Sequence, residues 1–511
     1  MIENQTNNTS NKKKYKLLLI SPYQKYVNYQ AHVELAKIFR KKRLMTSLAL
    51  PLLAGLTPAN YEIKVVDEEI ESIPKNFKPD IVGITTLSAT ANRAYELADK
   101  FRAEGIKVVL GGAYASFNTE EGLKHADSIV VGEAETAWPN CLNDFETGNM
   151  SRIYKSKTMC EYKTSVKPRW DLIPANKIFQ VAVQATRGCP FNCHFCLVSE
   201  LFGRKMRYRD LDNVVEEIKS LPSKWIFFVD DNFTINKKYA RELMQRIKPL
   251  GISWACQSSI DVAGDEELLK DMAGSGCYNI LIGFESLNSE SLEEANKMHN
   301  KNALIYKKAI QTIHKYGIHI NASFVVGFDN DKLDEFDNIY EFTKETGLGN
   351  VNLHVLSAVP GTQLYHNLKK ENRLTNLSTD LGVGFLTKLN YVNMSRVELF
   401  DKYMETIIKL YRWDTLNEKA KLLFGTGAFK RQGLDVGFIL KLNMIGILIF
   451  EFILSTNKGK RQLFKTIFNL MRKKLLSKDK GFGFLMYMLG VNRHINMHKK
   501  RLNEYRSLLE N

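Results

Sequence analysis

Ala185-Thr186-Arg187-Gly188-Cys189-Pro190-Phe191-Asn192-Cys193-His194-Phe195-Cys196 follows the apolar run VAV at 181–183 and places three of the chain's seven cysteines within eight positions. The spacing is C-x3-C-x2-C. Thiolates are soft ligands suited to iron–sulfur or zinc centres. Three cysteines on one tight loop can hold three corners of a [4Fe–4S] cube, leaving one iron open to chelate an amine and a carboxylate. A structural zinc wants a fourth ligand, and His194, immediately beside Cys193, is awkwardly placed to complete the same tetrahedron. Three buried, unliganded cysteines are the bland alternative, and their clustering after a strand and Arg-Gly argues against it. Cys141, Cys160, Cys256 and Cys277 have no ligand-like spacing and read as ordinary thiols.

Outward from this loop, residues 179–370 repeat a strand-then-helix rhythm. WIFFVDDNFT (225–234), ISWACQSSID (252–261), YNILIGFES (278–286), HINASFVVGFD (319–329) and VNLHVLSAVPG (351–361) follow VAVQATRG, with a helical pattern between most pairs. Six such units predict a partial (β/α)6 barrel with chemistry at the carboxyl ends of its strands. The polar and glycine residues fall there: Asp230, Asp231, Gln257, Glu285, Gly327 and Gly361. Residues 15–150 read as an open, doubly wound α/β domain, because KLLLISP (16–22), YEIKVVD (61–67), DIVGITTLS (80–88), IKVVLGGA (106–113) and SIVVGEAE (128–135) suit strands of a parallel sheet buried on both faces. Residues 151–178 read as a linker, 371–511 as a basic, mainly helical domain, and 1–14 as a disordered tail.

The 511 residues carry a formal charge of +16. A basic surface suits nucleic acid, anionic lipid or an acidic substrate, and charge alone does not choose. The aromatic–basic interleaving of a nucleic-acid platform is missing, so no nucleic acid is expected. The first residues lack the apolar core of a secretory signal, and the clustered cysteines suit a reducing compartment; the expected location is cytoplasmic.

RGCPFNCHFC at the end of a first barrel strand resembles the radical S-adenosylmethionine superfamily. The resemblance implies that Cys189, Cys193 and Cys196 bind a [4Fe–4S] cluster, that S-adenosylmethionine chelates the fourth iron, and that one electron releases a 5′-deoxyadenosyl radical. It implies that Phe195 packs by the adenine and that Asp230 and Asp231 lie near the methionine amine. Gln257 (or Ser258) and Glu285 would meet the ribose or the amino-acid moiety, and Gly327 the adenine. Arg207 suits the cosubstrate carboxylate, since a guanidinium binds carboxylates bidentately. A reductant such as a flavodoxin or ferredoxin is implied as well.

Thr85-Thr86-Leu87-Ser88, Gly111-Gly112 and GEAETAWP (132–139) resemble the cobalamin-binding domain of cobalamin-linked radical enzymes. There, Thr86, Ser88, Gly111 and Gly112 would accommodate the cofactor's dimethylbenzimidazole tail. The D-x-H-x-x-G loop that supplies a histidine to cobalt in many cobalamin proteins is missing; the sequence after the first strand is Ser21-Pro22-Tyr23-Gln24-Lys25-Tyr26.

KENRLTNL (370–377), VNMSRVELFDKYMETIIKLYRW (392–413), GKRQLFKTIFNLMRKKLL (459–476) and MLGVNRHINMHKKR (488–501) are similar to the C-terminal extension of the group that includes hopanoid and bacteriochlorophyll side-chain methylases and tetraether ring synthases. The implied function is cobalamin-dependent C-methylation of a hydrophobic, lipid or tetrapyrrole-like carbon. The same radical step without methyl transfer (ring closure, carbon–carbon coupling or rearrangement) is the runner-up. A tRNA-type methylthiotransferase would need N-terminal cysteines that residues 1–140 lack, and a non-catalytic iron–sulfur or zinc protein would need no cosubstrate site. Arg461, Lys465, Arg472, Lys473 and Lys474 interleaved with apolar residues suit contact with the inner face of a membrane; an amphipathic helix packed on the barrel fits the pattern equally. VGFILKLNMIGILIFEFIL (436–454) is interrupted by Lys441, Asn443 and Glu451, which disfavours spanning and favours a buried or interfacial helix.

Overall fold

A computed structural model describes residues 13–24, 32–156, 158–162, 166–297, 303–375, 386–387, 389–430 and 438–510. The expected tail (1–14) lies almost wholly outside them. The chain forms two compact units, one of residues 1–24, 47–160 and 166–173, the other of 25–46, 161–165 and 174–511.

The first unit is built on six parallel strands, β1 (Tyr15–Ser21), β2 (Tyr61–Asp67), β3 (Ile81–Thr85), β4 (Lys107–Gly111), β5 (Ser128–Val131) and β6 (Ile153–Lys155), in the order β2-β1-β3-β4-β5-β6. Leu18, Ile20, Val82, Ile84, Val108 and Leu110 are fully or almost fully buried, as strands covered on both faces require. The helix Ala91–Ala103 turns Ala94, Leu97, Ala98 and Phe101 inward, four positions at helical spacing. The strand order reverses direction at β1/β3, and the carboxyl ends of such strands are where an open α/β sheet binds ligands. β6 falls inside the expected linker. It is three residues long with only Tyr154 buried, too short to leave a periodic signal.

The second unit contains six more parallel strands, β7 (Val181–Val183), β10 (Trp225–Phe228), β11 (Ser253–Ser258), β12 (Cys277–Glu285), β13 (His319–Val326) and β14 (Asn350–Val355), ordered β14-β13-β12-β11-β10-β7. This is the (β/α)6 partial barrel. Between its first two strands a small antiparallel pair, β8 (Thr186–Arg187) and β9 (Arg207–Tyr208), brackets the cysteine loop and sets Arg187 opposite Arg207.

The C-terminal helices share a core with the barrel. Phe400, Tyr403, Leu410 and Phe424 join Phe284, Phe324, Phe336 and Leu353 in one buried cluster, and the Tyr411 hydroxyl both donates to the Val351 carbonyl (2.8 Å) and accepts from its N–H (3.0 Å). The contacts therefore place 174–511 in a single unit. Residues 32–46 also belong here: the Lys42 N–H donates to the Lys177 carbonyl and the Gln180 N–H to that of Leu44. A Cβ at Gly490 would lie 3.2 Å from Leu35, so glycine permits the helix His32–Ile38 to approach this closely. Among the described residues no helix is long and apolar enough to cross a membrane.

Candidate active site at the barrel mouth

Gly188 sets the direction of the cysteine loop. Its φ is +91°, and a Cβ there would lie 2.8 Å from the Lys205 carbonyl oxygen, so only glycine fits the turn. Two carboxylates then anchor the backbone. Asp230 accepts from the N–H groups of Ala185 (3.1 Å) and Thr186 (2.5 Å), and Asp231 accepts from that of Gly188 (3.1 Å). On its far side the loop hangs from the end of the helix Ser289–Glu294: the His194 N–H donates to the Ala295 carbonyl and the Asn296 amide to that of Asn192.

Asp230 is the more deeply set of the two. Its side chain is fully buried and both oxygens are committed to the backbone before the first cysteine. Burial pushes its carboxyl up to about 7 despite these bonds. It positions the loop. Asp231 is partly accessible, its charge is felt by Cys189 and Cys196, and Arg187 and Arg207 act on it in turn. Arg207 also donates to the Phe202 carbonyl at 3.0 Å.

The three cysteines are half-buried free thiols. Burial raises Cys189 and Cys193 to about 11 and moves Cys196 in the same direction. A cation on the far wall opposes this shift in all three: Lys297. Its ammonium is nearly buried, 2.5 Å from Glu285 Oε1 and 3.0 Å from the Gly283 carbonyl oxygen. Asn296, in the left-handed region at φ +52°, ends the preceding helix and turns Lys297 back toward the strand. Glu285 is itself left-handed at φ +65°, a conformation that costs a non-glycine residue on the order of 1–3 kcal/mol and tends to mark functional sites. Lys297 was not legible in the sequence, because a lone lysine twelve positions beyond a strand glutamate carries no motif.

The remaining expected residues divide. Gln257 is half-buried, 3.5 Å from the Asp230 carbonyl oxygen, while Ser258 is engaged by Thr234. Asn232 donates to Ser259 Oγ at 2.9 Å, and its Oδ1 is a buried acceptor with no partner among the described residues. A buried orphan of this kind costs about 1–3 kcal/mol unless a ligand supplies a donor. Phe195 meets Phe328 edge-on at 6.3 Å and lines a cavity of about 160 Å³ with His194, Leu356, Asp329 and Arg373. Gly327, at φ +115°, has a local reason to be glycine: a Cβ would lie 2.6 Å from the Tyr391 ring.

The donor set fits a cluster better than a single ion. Among the described residues no three His, Cys, Asp or Glu side chains converge where one metal ion could sit, whereas thiolates on separate corners of a cube need no common point. His194 turns Nδ1 to the Glu294 carbonyl oxygen at 2.9 Å, which removes that nitrogen as a fourth zinc ligand. Cys141, Cys160, Cys256 and Cys277 are buried.

The strand ends of the first unit are built differently. Thr86 is fully buried; its hydroxyl donates to the Gly111 carbonyl (2.8 Å) and accepts from the Ala115 N–H (2.9 Å). Gly112 has φ +97°, and a Cβ would stand 2.7 Å from the Thr86 carbonyl oxygen. Ser88 is half-buried and opens a short 3-10 turn. A Cβ at Gly132 would meet nothing within 4 Å, and one at Gly111 only Val130 at 3.7 Å. The ends of β4 and β5 thus leave open backbone for a bulky group, which fits a cobalamin.

Family models match three stretches of the chain. Residues 183–343 match the model of the radical SAM superfamily, residues 45–142 that of the B12 binding domain, and residues 362–503 a domain of unknown function. Two methyltransferases of Chlorobaculum tepidum are similar in sequence. The bacteriochlorophyllide d C-8(2)-methyltransferase is 34% identical over 347 residues, covering 64% of this chain and 77% of the relative. The C-12(1)-methyltransferase is 30% identical over 339 residues, covering 64% and 74%. In fold, the chain resembles the cobalamin-dependent S-adenosylmethionine radical enzyme OxsB, with a TM-score of 0.59 at 14% identity over 94% of this chain and 84% of that one. The chain belongs to the family of radical S-adenosylmethionine enzymes that carry a B12-binding domain. A [4Fe–4S] cluster, S-adenosylmethionine and cobalamin are the cofactors of this class.

Proposed function

We propose that the protein is a cobalamin-dependent radical S-adenosylmethionine C-methyltransferase acting on a hydrophobic, lipid or tetrapyrrole-like substrate. The observation that carries this reading is the pairing, in one chain, of a three-thiol loop at a barrel mouth with glycine-lined strand ends in a B12-binding-type sheet. Cys189, Cys193 and Cys196 would hold the cluster, and Thr86, Ser88, Gly111 and Gly112 border the cobalamin. When bound, the cluster supplies the electron that cleaves S-adenosylmethionine, and the cobalamin supplies the methyl group.

The chain's own part is positioning and charge. Asp230 and Asp231 fix the loop, so the thiols are held without reorganisation. The Lys297 ammonium offsets part of the thiolate charge. Glu285 and Gln257 present acceptors for the ribose or the amino-acid portion of the cosubstrate, and Asn232 Oδ1 accepts from its ammonium. Arg207 would pair with its carboxylate, and Phe195 with Phe328 would pack by the adenine, with Gly327 beside them. On this reading a flavodoxin or ferredoxin delivers the electron, and the enzyme works in the cytoplasm at the inner face of the membrane, where an apolar substrate collects.

The test is product mass after deletion of the gene and after reaction in vitro. Extracts of the deletion strain should accumulate a lipid or pigment that the purified, reconstituted enzyme converts with gain of one methyl group. A product with no added carbon would instead favour ring closure, coupling or rearrangement.

A further inference from the structure

The helix Phe438–Leu448 and the π-helical turn Ile449–Ile453 that continues it are apolar on both sides. Met444, Leu448 and Phe452 are buried, while Leu442, Ile445, Ile449, Phe450, Ile453 and Leu454 are exposed, Phe450 at 73% and Leu454 at 64%. A helix apolar all round is ordinarily enclosed, and contiguous exposed apolar surface marks a contact.

Charge identifies the kind of contact. Residues 438–480 contain ten Lys and Arg against two acidic residues, a net +8 in 43 residues of a chain that totals +16. One of the two acids, Glu451, is neutralised by Lys460 (2.8 Å) and Arg493 (2.5 Å). The helix Lys458–Arg472 buries Leu463 and Ile467 and exposes Lys458, Lys465, Phe468 and Arg472, with Lys473 and Lys474 exposed just beyond. A groove of about 580 Å³ is lined by Leu442, Gly446, Ile447 and Phe450 of this row together with Arg40, Asn443, Arg493 and the ion-paired Glu451. Exposed apolar side chains flanked by cations are the features of a helix lying in the plane of a bilayer surface.

We propose that this face is a membrane-docking surface whose occupant is an anionic lipid bilayer. Phe450, Leu454 and their neighbours enter the boundary between headgroups and acyl chains, and the lysines and arginines lie along the lipid phosphates. The proposal rests on the hydrophobic-substrate reading for its purpose, since it brings the enzyme to where such a substrate dissolves. Its physical basis is separate.

The test is sedimentation of the full-length protein with vesicles of phosphatidylcholine alone or with phosphatidylglycerol added. Anionic vesicles should bind at least about tenfold better than neutral ones, and binding should weaken as salt is raised. Phe450→Asp with Leu454→Asp should abolish binding, and Lys465→Glu with Lys473→Glu should lower it about tenfold, with thermal melting unchanged in both. Cys193→Ala should bind vesicles like the unaltered chain, so failure of the radical reading leaves this result standing. The proposal is overturned by absence of vesicle binding, by equal binding to neutral vesicles, or by a dimer in solution that the Phe450→Asp/Leu454→Asp variant dissociates.

Discussion

Both units present the carboxyl ends of six parallel strands, but they equip them in opposite ways. At the first sheet the polar side chain at the β3 tip, Thr86, is absorbed by backbone, and glycines leave the rest open. At the second, three thiols, Asp231, Glu285, Lys297 and a pair of arginines crowd together. The same topology can thus serve a passive cradle, for a cofactor that brings its own reactivity, or a charged cage that must assemble one. The first needs absence of side chains; the second needs charges held against their own desolvation.

Changes that break the cage should therefore cost more than changes that fill the cradle. Cys193→Ala should abolish cluster incorporation, measured as iron and sulfide content, and lower 5′-deoxyadenosine formation by at least ~10³-fold. Lys297→Met leaves Glu285 buried without its cation and should destabilise the second unit by about 3–5 kcal/mol in denaturant unfolding, with Lys297→Arg recovering part of the loss. Gly112→Ala places a methyl against the Thr86 carbonyl at positive φ and should cost roughly 1–3 kcal/mol. It should lower cobalamin retention after desalting while leaving iron content unchanged; a variant that keeps both cofactors would remove the cradle from the account.

The smallest effect concerns pH. Burial lowers His314 from 6.5 to about 4, and His319 falls well below its ordinary value. In the folded state both bind protons less readily than in the unfolded chain, so their stabilisation, complete above 6.5, is lost as pH falls below it, for His314 down to about 4. Asp230 acts in the opposite sense, its raised pKa making stability fall as pH rises from about 4 to about 7. The net acid loss should appear as a melting temperature a few degrees lower at pH 5 than at pH 7, reduced in His319→Phe.

Apart from β6, the strands of both sheets were legible because each carries its apolar residues in a run, as in IVGIT, or in alternation, as in HINASFVV. The cysteine loop was legible from spacing alone. What escaped depends on contacts distant in sequence. Residues 32–46 leave the first sheet for the second unit through backbone bonds to Lys177 and Gln180. The packing of the C-terminal helices into the barrel core leaves no mark in the sequence, and Lys297 matters only because Asn296 turns it back toward Glu285. The backbone bonds of Asp230 escaped as well, since composition cannot tell a carboxylate that meets a ligand from one that clamps the chain.

The central claim is that the thiols of Cys189, Cys193 and Cys196 leave one iron of the cluster for S-adenosylmethionine. Mössbauer spectroscopy of anaerobically reconstituted, ⁵⁷Fe-labelled protein, recorded without and with S-adenosylmethionine, measures this most directly. One iron site in four should change its isomer shift on addition of the cosubstrate while the other three hold theirs. Spectra identical under the two conditions, or protein that incorporates no cluster, would contradict the account.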